Sequence, residues 1–266
     1  AMLLTHPSSP QAAQALARKL GRTACFIAGG TLLQQSWAEP RLAPQATHFI
    51  NVMHWPEMQQ ISLTPQYLRI GAGVRLEAVR RNPLVQQHAP VLVQALDQLG
   101  AMGVRRLGTL GGNIGWGEGD CCPVLLAMDT QVELTDGNIQ ALSQTLQLMD
   151  RPLMLSFFLP RGDVMSPRPL IFEKVGYRAA FSPARLRMTI RWMDGQEPLS
   201  VDRIAAAAPG IGVHHLLATE KLLAYAHELQ VRPTVSDIRT TCRQTLPPDL
   251  AMLASRLIAG HCKLLA

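Results

Sequence analysis

Apolar residues recur at helical spacing in some stretches of the chain and at strand spacing in others. Ser8, Ser9 and Pro10 supply cap and first-turn residues for a helix reaching Leu20, which Gly21 stops. Residues 25–28 read as a short buried strand running into Gly29-Gly30-Thr31, and residues 48–52 and 67–71 as further strands. Leucines at helical spacing predict helices over 75–81 and 90–100, followed by a glycine-rich loop over 108–119. Residues 123–128 read as a short helix, 131–139 as a hairpin turning at Asp136-Gly137, and 153–159 as an apolar strand. The character changes near Ser166-Pro167-Arg168-Pro169, which sets a boundary at about residue 165. Beyond it, 170–175, 178–181 and 186–192 predict an antiparallel sheet with a hairpin turn at Asp194-Gly195, and 219–230, 235–245 and 248 onward predict helices. Strands and helices come in runs, which indicates an α+β chain and not a doubly wound one. No period marks a solenoid or propeller.

Composition narrows the classes. The 266 residues are 47% hydrophobic and 17% charged, which is globular and excludes a disordered chain. No apolar run approaches the ~20 residues of a membrane span, and no secretory leader is expected at the N-terminus, where Ala1 before Met2 reads as a scar of tag removal. The net charge of +6 comes from scattered basic residues with only 5% aromatics, a poor pattern for nucleic acid. Cys25, Cys121, Cys122, Cys242 and Cys262 contain no Cys-x-x-Cys, so zinc and iron–sulfur sites lack support and free thiols in a reducing cytoplasm fit. His214-His215 and His261-Cys262 are read as surface or loop pairs and not as metal ligands, because neighbouring side chains diverge.

Candidate chemistry concentrates in two glycine turns. Ala28-Gly29-Gly30-Thr31-Leu32-Leu33 and Gly108-Thr109-Leu110-Gly111-Gly112-Asn113-Ile114 both let main-chain amides approach an anion without a Cβ in the way. Two such turns suit a diphosphate, whereas either one alone also suits a plain tight turn. Neither a Rossmann Gly-x-Gly-x-x-Gly nor a Walker motif is present, and no catalytic nucleophile elbow or His-Glu-x-x-His occurs. Trp116 is open to two readings, a packing anchor or a cover for an adenine or flavin face, and Arg105 to two others, a carbonyl-binding brace or a solvated side chain.

The chain resembles the FAD-binding (medium) subunits of the molybdenum hydroxylases, the group of xanthine dehydrogenase, aldehyde oxidoreductase and carbon monoxide dehydrogenase. Four segments in order carry the resemblance: residues 28–33, 67–74, 104–114 (Val104 to Ile114, similar to the signature Ile-Arg-Asn-x-Gly-Thr-Ile-Gly-Gly-Asn) and 172–181. It implies a two-lobed FAD-binding domain over residues 1–165, with lobes of about 1–53 and 54–165, followed over 166–266 by a domain of three-stranded antiparallel sheet plus helices. Ala28, Gly29, Gly30, Thr31, Leu32 and Leu33 would hold the FAD pyrophosphate from one side, and Thr109, Leu110, Gly111, Gly112 and Asn113 from the other. By the same resemblance Asp120 contacts the cofactor, Met154 lies at a flavin contact and Lys174 approaches the flavin. The implied role is electron transfer, from 2Fe-2S clusters on a small partner subunit fed by a molybdenum-cofactor large subunit, through FAD, to NAD, oxygen or another acceptor. A stand-alone FAD oxidoreductase and a flavin-free scaffold subunit are the alternatives.

Four departures bear on the site, one of them Tyr177, which stands where many members have the first of two arginines. The link Ile114 to Gly119 is shorter than the family's and lacks its proline, Glu118 brings a negative charge toward the expected pyrophosphate position, and Cys121-Cys122 replaces an apolar–polar pair.

Overall fold

The computed structural model describes residues 3–28, 31–32, 48–52, 55–100, 105, 108–162, 167–176 and 184–265, with Ala28, Thr31 and Leu32 described by their main chain. The chain opens with β1 (Leu3–Thr5), helix α1 (Pro10–Leu20), β2 (Ala24–Ala28), β3 (Thr31–Leu32) and β4 (His48–Asn51). The Ser9 hydroxyl accepts from the Ala12 amide at 3.1 Å and caps α1, and Gly21 ends it at φ +61°, a conformation that favours glycine. These strands form a sheet in the order β1-β4-β2-β3, with β4 parallel to both β1 and β2.

The next stretch contains β5 (Ile61–Leu63), β6 (Tyr67–Gly71), α2 (Leu76–Arg81), α3 (Pro83–His88), α4 (Pro90–Asp97), α5 (Leu110–Trp116), α6 (Cys121–Ala127), β7 (Gln131–Leu134), β8 (Ile139–Ala141), α7 (Leu142–Leu146) and β9 (Met154–Pro160). Its sheet is antiparallel throughout, in the order β5-β6-β9-β7-β8. Phe26 and Ile50 of the first sheet and Leu68, Ile70 and Phe157 of the second share one apolar cluster. Part of the expected glycine-rich loop is therefore helix α5, because Thr109 supplies the N-cap that the glycines alone lack.

The remainder contains β10 (Leu170–Gly176), β11 (Ala184–Trp192), β12 (Val201–Ala208), β13 (Gly212–His215), α8 (Leu217–Leu229), α9 (Val235–Cys242) and α10 (Pro248–His261). The strands form an antiparallel sheet of four in chain order, one more than the three expected. The strand expected at 178–181 and the boundary near 165 lie outside the described residues. The addition comes from Val201–Ala208 and Gly212–His215. The alanines of β12 are good helix formers, yet the strand is central and buried on both faces. Ala205 and Ala207 enter the first cluster, while Ile204, Ala206 and Ala208 enter a second cluster with Leu223, Ile258 and Ala259. Small side chains let helices approach both faces of the sheet, and tertiary packing overrides local propensity.

Strand β11 follows the same period of two. Leu186, Met188, Ile190 and Trp192 enter the second cluster. Arg187, Thr189 and Arg191 alternate with them and are also buried, on the side of α6. The arrangement is a folded α+β chain whose last sheet is covered by α6 on one face and by α8 to α10 on the other.

Candidate functional site

The glycine turn of residues 108–113 is built from its own hydrogen bonds. The Thr109 hydroxyl accepts from the Gly112 amide at 3.0 Å. The Leu110 amide donates to the Val74 carbonyl at 2.9 Å, that of Gly111 to Ala72 at 2.8 Å, and that of Asn113 to Thr109 at 3.1 Å. All four amides are thus used within the chain. Gly111 has a packing reason for lacking a side chain, since a Cβ there would sit 2.9 Å from both the Cβ and the carbonyl oxygen of Ala72. Thr109 and Leu110 are fully buried, and Gly112 and Asn113 are half-buried. Asn113 Oδ1 accepts from the Cys121 amide at 3.1 Å, which ties α5 to α6, and Nδ2 has no partner among the described residues.

Asp120 stands at the N-terminus of α6 and its side chain is 1% exposed. Lys174 Nζ donates to Oδ2 at 2.7 Å and Arg187 Nε donates to Oδ1, so both carboxylate oxygens face cations from the last sheet. Lys174 also donates to the Gln98 carbonyl at 3.0 Å. At the other end of α6, Asp129 accepts from Arg191 at 2.9 Å and from Arg203 at 2.9 Å. Asp120 at the helix start suits the helix dipole, and Arg191 and Arg203 offset Asp129 beyond its end. Arg187 was not singled out from the sequence, although the alternation through Leu186–Trp192 marks Arg187 and Arg191 as polar residues sharing one face.

Trp116 ends α5 with 44% of its surface exposed, and the Arg187 guanidinium lies 6.0 Å from its ring centroid. Gly117 caps the helix at φ +81°, and Arg151 donates to the carbonyls of Gly115 and Leu146. Glu118 accepts from the Gly210 amide at 2.9 Å, so its charge is directed to the β12–β13 turn. The short link is thereby closed by a helix cap and a bond to the last sheet.

The first glycine turn is bracketed by antiparallel pairing of Ile27 with Leu32 and Ala28 with Thr31 across β2 and β3. Gly29, Gly30 and Leu33 lie outside the described residues, so the distance between the two turns does too. Met154 begins β9 opposite Leu134 and is buried in the first cluster. Arg105 braces carbonyls, those of Leu96 and Leu99, and pairs with Glu77 at 3.1 Å. Cys121 and Cys122 are fully buried. Burial, then the Asp120 charge, pushes the Cys121 thiol up; burial pushes Cys122 up to about 12, and neither suits a nucleophile. Among the described residues no cluster of His, Cys, Asp and Glu could hold a metal ion, and no helix is long and apolar enough to cross a membrane.

Comparison with known proteins matches residues 1–151 to the family described as the FAD binding domain in molybdopterin dehydrogenase. A nicotinate dehydrogenase FAD-subunit of Eubacterium barkeri is 28% identical over 115 residues, which are 41% of this chain and 37% of that protein. The chain thus matches little more than a third of that relative's length. Among solved structures, a chain of the carbon monoxide dehydrogenase of Hydrogenophaga pseudoflava superposes with a TM-score of 0.73 at 20% identity, covering 97% of this chain and 94% of that one. A chain of the carbon monoxide dehydrogenase of Oligotropha carboxidovorans superposes at 0.74 and 18%, covering 100% and 99%. A chain of the quinoline 2-oxidoreductase of Pseudomonas putida 86 does so at 0.71 and 18%, covering 99% and 96%. At these identities the structures share the fold.

Proposed function

The chain belongs to the family of FAD-binding domains of molybdopterin dehydrogenases, and from that premise we propose that it is the flavin electron-transfer subunit of a multi-subunit molybdenum hydroxylase. The match over residues 1–151 carries this reading. FAD supplies the redox chemistry that links one-electron iron–sulfur donors to NAD, oxygen or another acceptor. Substrate oxidation and the clusters belong to a molybdenum-cofactor large subunit and a 2Fe-2S small subunit, since this chain has no cysteine spacing for a cluster. Its five cysteines are free and buried, in keeping with a reducing cytoplasm.

The described residues fit one flank of the cofactor. The amides of Leu110 to Asn113 are already bonded, so the turn contributes a preformed wall with bare Gly112 and one spare donor, Asn113 Nδ2. The remaining phosphate donors in this reading come from Ala28 to Leu33. Lys174 and Arg187 place two cations against the single carboxylate of Asp120, which favours an electron-rich or anionic flavin ring beside them. Asp120 orients both cations, and buried Met154 acts through packing beneath the site.

The native chain purified with its partners should contain FAD, iron–sulfur clusters and molybdenum. Gly112→Val keeps the Gly112 amide bond to Thr109 and adds bulk on the half-buried wall. It should release FAD while leaving the circular dichroism unchanged. Stoichiometric flavin in that variant refutes the placement, and a colourless wild type that also rejects added FAD leaves the flavin-free scaffold.

A further inference from the structure

We propose that Trp116, backed by Arg187, is the platform on which the isoalloxazine ring of FAD rests; the inference rests on the reading that this chain binds FAD. An indole with 44% of its surface exposed would gain from a cover, and a flat ring is the natural one. The segment that carries the indole is held in place from several directions. Gly117 donates to the Ile114 carbonyl at 3.0 Å in its left-handed cap, and Arg151 grips the carbonyls of Gly115 and Leu146. Glu118 anchors the following turn to Gly210. Arg187, itself fixed by Asp120, lies 6.0 Å from the ring centroid. A ligand ring would therefore meet an aromatic surface on a fixed stretch of main chain, already packed against Arg187.

Position and charge select the flavin end of the dinucleotide over the adenine end. Trp116 closes the helix that Gly111 and Gly112 open, and six residue steps at about 1.5 Å each separate its start from its end by about 9 Å. A dinucleotide held at its phosphates by the turn would extend a ring toward the other end of that helix. There Lys174 and Arg187 share one carboxylate, and Glu118 is turned to a main-chain amide. Adenine is neutral and gains little from that surplus cation. The isoalloxazine carbonyls, and its negative charge once reduced, gain more.

The test compares full-length wild type, Trp116→Phe and Trp116→Ala, reading the affinity for FAD, the affinity for ADP and the fluorescence yield of bound flavin. Tryptophan quenches an excited flavin by electron donation, and phenylalanine stacks without doing so. Trp116→Phe should bind FAD within about threefold of wild type, with the bound flavin several times brighter. Trp116→Ala should be equally bright and bind FAD about tenfold more weakly. ADP affinity should be the same in all three, with circular dichroism confirming the fold. Equal flavin emission in the three proteins overturns the platform, and ADP affinity falling in step with FAD overturns it in favour of an adenine seat. If wild type takes up no FAD, the reading of the chain as a flavoprotein fails first and the platform with it; FAD uptake with unchanged emission sinks the platform alone.

Discussion

Replacing Asp120 with Asn removes the carboxylate that pairs with both Lys174 and Arg187 while keeping the side chain's shape. The Arg187 side chain is 9% exposed and would be left as an uncompensated buried cation. Breaking a buried pair in this way costs about 3–5 kcal/mol. Lys174, at 22% exposure, can swing toward water, so its half of the contact adds about 1 kcal/mol or less. For a chain of this size each kcal/mol lowers the melting temperature by about 2–4 °C, so Asp120→Asn should melt about 6–24 °C below wild type. The measurement is a thermal melt followed by circular dichroism, without added FAD, together with urea unfolding. Arg187→Met and the Asp120→Asn, Arg187→Met double variant complete a cycle. The double variant should be more stable than Asp120→Asn alone, because an apolar side chain of similar length no longer needs a counter-charge. A single variant within about 1 kcal/mol of wild type, or strictly additive losses, would refute the ion cluster as a stabilising element.

The thiols give a prediction in pH. Burial raises Cys121 and Cys242 and takes Cys122 and Cys262 to about 12, above the roughly 8.5 of an unfolded thiol. Their contribution is complete below about pH 8.5 and falls as pH rises toward 12, so stability should decline on the alkaline side, and a thiol reagent should label the chain only at the rate of opening. Gly111→Ala drives a methyl to 2.9 Å from the Ala72 carbonyl and Cβ, and urea unfolding should show a loss of about 1–3 kcal/mol; a neutral result would mean that α5 and β6 move apart freely.

What could be read from the sequence was what depends on neighbours along the chain. The cap at Ser9 and stop at Gly21, the Asp136-Gly137 hairpin and the apolar β9 follow from local spacing and turn chemistry. Helix α5 was hidden because glycines disfavour helix, while the Thr109 cap and the Ala72 and Val74 carbonyls that compensate lie partly outside the segment. The β12 alanines carry no strand signal, since alanine favours helix and nothing local says that two cores will press on them. Within the site, the glycine turn was visible as a pattern, and Lys174 through the family resemblance. That Asp120 is claimed by Arg187, and Glu118 by Gly210, depends on contacts between residues 67 and 92 positions apart, which no local pattern encodes.

Strand β11 also works as a ruler. Arg187 and Arg191 are four positions apart, about 13 Å along an extended chain, and they meet acids flanking a helix of seven residues. Sliding the strand by one residue would drive leucine and isoleucine, or methionine and tryptophan, against two carboxylates and push both guanidinium groups into oil-like surroundings. Misregistered pairing is therefore penalised twice over, so the alignment of the last sheet is checked by charge as well as by greasiness while the chain is still folding.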